Sequence, residues 1–497
     1  MAYHADEAEF RRIEREVLDP FHKTLALFAR GRAEARLGLL LAFDGLALPS
    51  ALSMINGQEQ NASTRQREKG FEDGLAQAMR WFTQPGEVPA VSSTLIPGLI
   101  DDAGNFLMHA ADYSNLVDLH RLYGANMILA EVDQENKRIR FRYSSRDRAF
   151  DAAMGFISSI DRELVHLKDG GKLAEMHPQK PIGFDFVGGM VRLREPELLA
   201  ASDPGFTLPL PPEIIANEAD LEGFSMGELS SFWRALVHWS THCLNIYVRS
   251  ALSETSQESC MPTQVVAAGQ FNNAIKTLSG LPLEKVARII ERLAFDYRTK
   301  LPCIFQQPLL VGDGTVAWSP NLVIHSRYDR NMLRLMARTP DLKHTADNLI
   351  GGRGRLMLNC FGKRLQRFGW SYKLNRHIQH GGRTGEVDLL AYARDEPDAV
   401  AVVEWKSILT ADEVHEVRAA TAELISAQDQ VVDCVDMLRA MSAAEKHNLY
   451  PFVPWERISR YVPLVVTKDV EPNETYDQAK VPCLCVDSLA RIFHVWC

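Results

Sequence analysis

The sequence lacks the short signatures that assign many chains at a glance. Its eight cysteines (Cys243, Cys260, Cys303, Cys360, Cys434, Cys483, Cys485 and Cys497) are scattered, and only Cys483 and Cys485 lie close together. A zinc module would show two CxxC-type pairs or a Cys/His equivalent, so no such module is expected. The N-terminal stretch MAYHADEAEFRRIERE carries neither the basic region nor the apolar core of a signal peptide. Reduced thiols and a cytoplasmic location are the expectation. The most apolar run, LGLLLAFDGLALPSAL at residues 37–52, is interrupted by Asp44 and Pro49. It falls short of the ~20 residues that span a bilayer and reads as core, so no membrane association is expected.

Other absences narrow the chemistry. The histidines, His377 and His380 included, stand in no HExxH or HxH context. The glycine-rich GGRGR at 351–355 is not a Walker loop, and after Gly362-Lys363 an arginine, Arg364, stands where that loop needs Ser or Thr. There is no GxSxG nucleophile elbow, internal repeat or low-complexity tract. A formal charge of −9 argues against a protein that coats nucleic acid with its whole surface.

What is present is the composition of an ordinary globular chain, 46% hydrophobic and 24% charged. A length of 497 residues leaves room for several domains. Residues 5–36 and 62–83 show helical spacing, and NMILAEVDQENKRIRFRYSS at 126–145 reads as two strands around a polar turn. The proline-rich ASDPGFTLPLPPE at 201–213 is a linker candidate. Long helical patterns follow at 225–252 and 282–298, then a strand, a Gly-Asp-Gly turn, a short strand and a basic helix. The expected fold is multidomain α+β. It divides into a mixed, sensing or regulatory region at 1–205, a mainly helical middle region at 206–345 and an α/β unit at 346–497.

Chemistry concentrates in GEVDLLAYARDEPDAVAVVEWKS at 385–407. Two apolar runs flank ARDEPD, whose Asp and Pro favour a turn, so a β-hairpin is expected. Alternation along a strand puts Glu386 with Asp388 on one face and Glu404 with Lys406 on one face. Pairing the strands brings Asp388, Glu404 and Lys406 together. Two adjacent carboxylates suit a hard divalent cation, which makes Asp388 and Glu404 candidate ligands for Mg²⁺, with Mn²⁺ as a substitute. Lys406 is placed to orient or help deprotonate a water and to offset charge on a phosphate.

At these residues the sequence resembles the PD-(D/E)XK nuclease superfamily, the restriction-endonuclease-like fold, whose signature is an Asp on one strand and Glu-x-Lys on the next. Here these are Asp388 and Glu404-Trp405-Lys406, within about the last 150 residues. RGRLMLNCFGKRLQRFGWSYKLNR at 353–376 resembles the family's first helix and strand. That helix often contributes an acid, and here the comparable turn, near Leu358 and Asn359, has none; Glu386 is the candidate substitute. Residues 411–440 resemble the helix that often carries a site-facing glutamine, for which Gln428 and Gln430 are candidates. The strand at 460–469 and a strand-helix unit at 481–493 would complete the core.

Between residues 324 and 380 there are 12 Lys/Arg and three acids, a local balance of +9. Within that stretch Arg353, Arg355, Lys363, Arg364 and Arg367 form a candidate nucleic-acid surface beside the site. The resemblance implies a Mg²⁺-dependent DNA endonuclease, with large accessory regions of the kind seen in prokaryotic restriction or anti-phage defence effectors. A homo-oligomer or a regulatory protein partner is compatible with it. Two alternatives remain open: a nuclease fold without catalysis that binds nucleic acid or scaffolds, and a purely structural partner-binding subunit.

Overall fold

The structure, a computed structural model, describes residues 15–16, 19–49, 62–84, 87, 89–124, 128–133, 138–143, 166–167, 183–201, 206–207, 218–252, 261–296, 303–326, 328–407, 414–467 and 481–485. The chain is mixed α+β. Most of the linker candidate at 201–213 and the helix expected after 485 lie outside the described residues.

The described part of the helical pattern expected at 5–36 is broken into short turns at Asp19–Phe21, His22–Thr24 and Ala26–Ala29, with Leu25 and Arg30 extended. Three longer helices follow, α1 (Arg32–Leu46), α2 (Ala62–Trp81) and α3 (Leu99–Gly124). Every residue of α1 from Ala35 to Asp44 is buried, as expected of a helix apolar on all sides. The hairpin expected at 126–145 is β1 (Ile128–Asp133) and β2 (Arg138–Tyr143), paired antiparallel. Small two-stranded pairings follow, of β3 (His166–Leu167) with β6 (Phe206–Thr207) and of β4 (Phe184–Val187) with β5 (Met190–Leu193).

Next come α4 (Met226–Leu252), β7 (Gln264–Ala267), α5 (Ala268–Ser279), α6 (Leu283–Leu293), β8 (Leu310–Gly312) and β9 (Thr315–Trp318). Asp313 and Gly314 both adopt positive φ, 49° and 72°, which makes the tight turn that the Gly-Asp-Gly sequence promised. The order β7-β9-β8 forms one antiparallel sheet with a core on each face. Val266, Val316 and Trp318 join the core around α4, whereas Val265, Ala317 and Leu310 join the core of α1, α2 and α3. Side chains from both sides of residue 205 therefore share one core.

After α7 (Pro320–His325) and α8 (Tyr328–Arg338) comes α9 (Lys343–Arg367), which runs through the boundary expected at 345/346. Its first turns pack on the α4 core through Ala346, and its later turns pack on the C-terminal sheet through Met357, Leu358, Phe361 and Leu365.

That sheet has five strands in the order β10 (Trp370–His380), β11 (Arg383–Ala393), β12 (Ala399–Lys406), β13 (Arg460–Thr467) and β14 (Cys483–Cys485). The first three are antiparallel, and β13 and β14 add in parallel. Helix α10 (Val414–Ala440) makes the crossover between the parallel strands β12 and β13, and the short α11 (Ala443–Leu449) follows it. Because side chains alternate along a strand, Val400, Val402 and Val465 pack under α10 while Ala401, Val403 and Val466 pack under α9. The C-terminal unit is thus a sheet between two helical layers.

Candidate active site

The site forms where β11 and β12 stop pairing. On β12 the alternation of Val400 and Val402 toward α10 sends Glu404 and Lys406 to the same side. Lys406 Nζ lies 3.0 Å from Glu404 Oε1 and donates to Gln430 Oε1 on α10, also at 3.0 Å. The β11–β12 ladder pairs Leu390 with Val402 and Leu389 with Val403, and one further step of that register sets Asp388 opposite Glu404. In place of a ladder bond, the Asp388 carboxylate accepts the Trp405 backbone N–H at 2.7 Å.

The other flank of β11 is interrupted at the same point. Leu374 pairs with Leu389 and Arg376 with Val387, but Asn375 and Asp388 are skipped, and Asn375 has φ 47°. Asparagine tolerates that left-handed conformation better than most residues. The strand alternation resets across this kink. Leu390 and Tyr392 face the α10 core, and so does the odd-numbered Val387. The regular alternation that was to carry Glu386 along with Asp388 does not run through this point.

Electrostatics mark the pair of carboxylates. Glu404 is only 8% exposed. Burial, reinforced by the neighbouring Asp388 charge, pushes it up to about 7, while Lys406 pulls the other way. Burial also raises Asp388, against the opposing pull of the Trp405 N–H and Lys406. The site holds more negative charge than its lysine offsets.

Asp388, Glu404, Lys406 and Gln430 are therefore brought together. Gln428 is buried on α10, 3% exposed. Glu386 sits at the rim, its carboxylate 3.9 Å from Nδ1 of the exposed His377 and its backbone carbonyl accepting the Cys434 thiol at 3.3 Å. Cys434 was not singled out by the sequence. Burial and the charges of Glu404 and Asp388 push its thiol up to about 11, so it stays neutral beside them.

The five candidate basic residues all lie on α9, the helix on the opposite face of the sheet from Gln430. Arg355, Lys363, Arg364 and Arg367 are exposed, and the side chain of Arg353 is outside the described set. Gly354 passes so close to the end of β12 that a Cβ there would come 2.8 Å from Ser407 Cβ, which places Arg355 near the site. Lys363 to Arg367 lie about 14–20 Å further along the helix axis. Arg334, counted in the same basic stretch, is buried, so the local excess of charge is not wholly on the surface.

Among the described residues no group of three His, Cys, Asp or Glu is set to hold a metal. The donor set is two carboxylates, and that suits Mg²⁺, which is commonly held by one or two carboxylates with waters and substrate oxygens completing its shell. The elevated Glu404 and Asp388 describe a pair that a divalent cation would relieve. Asp388 and Glu404 are the residues that would hold it. Comparison with protein-family models, with curated proteins and with solved structures finds no match for this chain.

Proposed function

We propose that the C-terminal unit is a PD-(D/E)XK-type nuclease domain and that the chain is a Mg²⁺-dependent DNA endonuclease. The observation that carries this reading is the meeting of Asp388, Glu404 and Lys406 at one point where two strands part, beneath Gln430. A bound divalent ion would supply positive charge against a phosphate and acidify a water. The protein's own part is positioning. The Trp405 N–H fixes Asp388, and the Gln430 carbonyl together with Glu404 holds the Lys406 ammonium toward the carboxylates. There it can orient an attacking water or offset charge developing on a phosphate oxygen. The large accessory region resembles that of restriction or anti-phage defence effectors, and this is the biological role we propose.

The absence of an acid on the central turns of α9 favours a second reading, a nuclease fold that binds nucleic acid without cutting it. Incubating the protein with plasmid, linear duplex, single-stranded DNA and RNA in Mg²⁺, Mn²⁺ or EDTA separates the two. Metal-dependent products support the nuclease. Retained DNA binding with no products under any of these conditions supports the second reading.

Glu404 carries a proton up to about pH 7, and a cation must displace it, so Mg²⁺ affinity should climb by about tenfold per pH unit below that point and level above it. Calorimetry across pH 5.5 to 8.5, as a rough range, reads this directly, and a flat profile would show that Glu404 is not a ligand. On α9, Lys363→Gln, Arg364→Gln and Arg367→Gln should each flatten the dependence of log affinity on log salt by ~0.9 for duplex DNA. Unchanged slopes would remove this helix from the binding surface.

A further inference from the structure

Outside the carboxylate site, the N-terminal region encloses a cavity of about 430 Å³ whose lining includes His22, Lys23, Phe28, Arg30, Arg32 and Trp81. Its volume falls in the range of small-molecule sites, roughly 300–1,000 Å³. Two chemistries meet in its walls. One is aromatic: the His22 and Trp81 rings stack with centroids 4.3 Å apart and planes 4° from parallel, and Phe28 lies edge-on to His22 at 5.3 Å. Trp81 is itself braced edge-on by Phe106 and Tyr113 of α3, and His109 of the same helix lies nearly parallel to it with centroids 6.2 Å apart. The other is cationic. Lys23, Arg30 and Arg32 line the cavity, and among the described residues no acidic side chain lines it.

Both arginines are ion-paired to carboxylates. Asp102 accepts from Arg30 Nε at 2.8 Å, and Glu87 accepts from Arg32 at 2.9 Å while also pairing with the buried Arg36. A guanidinium has five N–H donors in a rigid fork, so these contacts fix its direction and leave donors for a ligand. An aromatic wall beside directed guanidiniums fits a planar base carrying a phosphate. Stacking on aromatic faces and charge-assisted bonds to phosphate oxygens are the means by which proteins hold such groups.

We propose that this cavity binds a nucleoside monophosphate, with the base against the aromatic wall and the phosphate at Lys23, Arg30 and Arg32. The chemistry is shared by a free nucleotide and by the 5′-phosphorylated end of a strand. The site does not depend on the nuclease reading, because its test is binding in the absence of divalent metal.

The test is calorimetric titration of the full chain in EDTA with AMP, adenosine, inorganic phosphate and a 5′-phosphorylated oligothymidylate. AMP should bind at least about tenfold more tightly than adenosine or phosphate alone. Lys23 is exposed, so Lys23→Glu should leave the fold intact and weaken AMP by about tenfold or more, the effect of losing a charge-assisted phosphate contact. Asp388→Ala should bind AMP as the wild type does. Trp81→Leu tests the aromatic wall, with circular dichroism to confirm that α1 to α3 remain folded. Oligothymidylate binding that exceeds AMP and is lost in Lys23→Glu would assign the site to strand ends. No AMP or oligothymidylate binding, or binding indifferent to Lys23→Glu, would overturn the proposal.

Discussion

Lys406→Ala should slow single-turnover DNA cleavage by ~10² or more while leaving Mn²⁺ binding largely intact, whereas Asp388→Ala and Glu404→Ala should lose both. The split follows from position. The two carboxylates are the donor set, and the ammonium of Lys406 sits 3.0 Å from Glu404 without being able to ligate a cation itself. One side effect has a definite sign. Lys406 lowers the pKa of Glu404, so its removal moves that carboxyl further above 7 and strengthens proton competition. The metal titrations therefore belong at about pH 8 or above, where the carboxylate is ionised. If Lys406→Ala lost metal binding at that pH as completely as Glu404→Ala does, the assignment of separate roles would fail.

The second large effect lies outside the site. Asp44, in the last turn of the buried α1, is fully shielded from solvent and ties α1 to the residues that flank β7 and β9. Its carboxylate accepts from Thr263, from Ser319, and from the Asn321 side chain at 3.0 Å and backbone N–H at 3.3 Å. Asp44→Leu strips the partner from several buried donors at once. With roughly 1–3 kcal/mol for each buried group left unsatisfied, the loss should be on the order of 3 kcal/mol or more. Asp44→Asn, which keeps an accepting oxygen, should cost less.

The same residue gives a pH dependence of known sign. Burial raises Asp44 to about 6, against an ordinary value of 3.8. The folded state thus binds this proton more tightly than the unfolded state does. This contribution is fully present below the ordinary value of 3.8 and is lost as pH rises from there through about 6, flat beyond. Urea midpoints for the wild type and Asp44→Asn should differ in slope over that interval. Parallel midpoints would mean that Asp44 titrates normally, and an Asp44→Leu protein as stable as the wild type would mean that the network contributes nothing.

Local periodicity was readable in the sequence, and long-range geometry was not. Glu404 and Lys406 share a face because alternation is a property of β12 alone. The turn at Asp313 and Gly314 was legible because Gly-Asp-Gly tolerates positive φ. Glu386 and Asp388 were assigned by the same period-two rule, and there the rule met a kink: Asn375, on the neighbouring strand, takes φ 47° and the ladder skips Asp388. Nothing in β11 itself announces an event set by its partner.

The glutamines show a case between these extremes. Gln428 and Gln430 are about 200° apart around a helix, so only one could face the site. Which one it was depended on how α10 lies on the sheet, and it is Gln430 that reaches Lys406. The basic stretch was visible as a charge count, but a count cannot tell that Arg334 is buried or that α9 covers the face opposite Gln430. Similarly, the boundaries expected at 205 and 345 followed composition. Packing instead joins α1 to β7 and β9 through Asp44, and carries α9 unbroken from one core to the next.

Single-turnover cleavage of plasmid DNA by wild type and Glu404→Ala, in Mg²⁺ and in EDTA, asks whether Asp388, Glu404 and Lys406 form a metal-dependent phosphodiesterase site. The expected result is nicked or linear product from the wild type in Mg²⁺ alone and none from Glu404→Ala under either condition. Product formed by Glu404→Ala at the wild-type rate, or wild-type cleavage undiminished by EDTA, would contradict it.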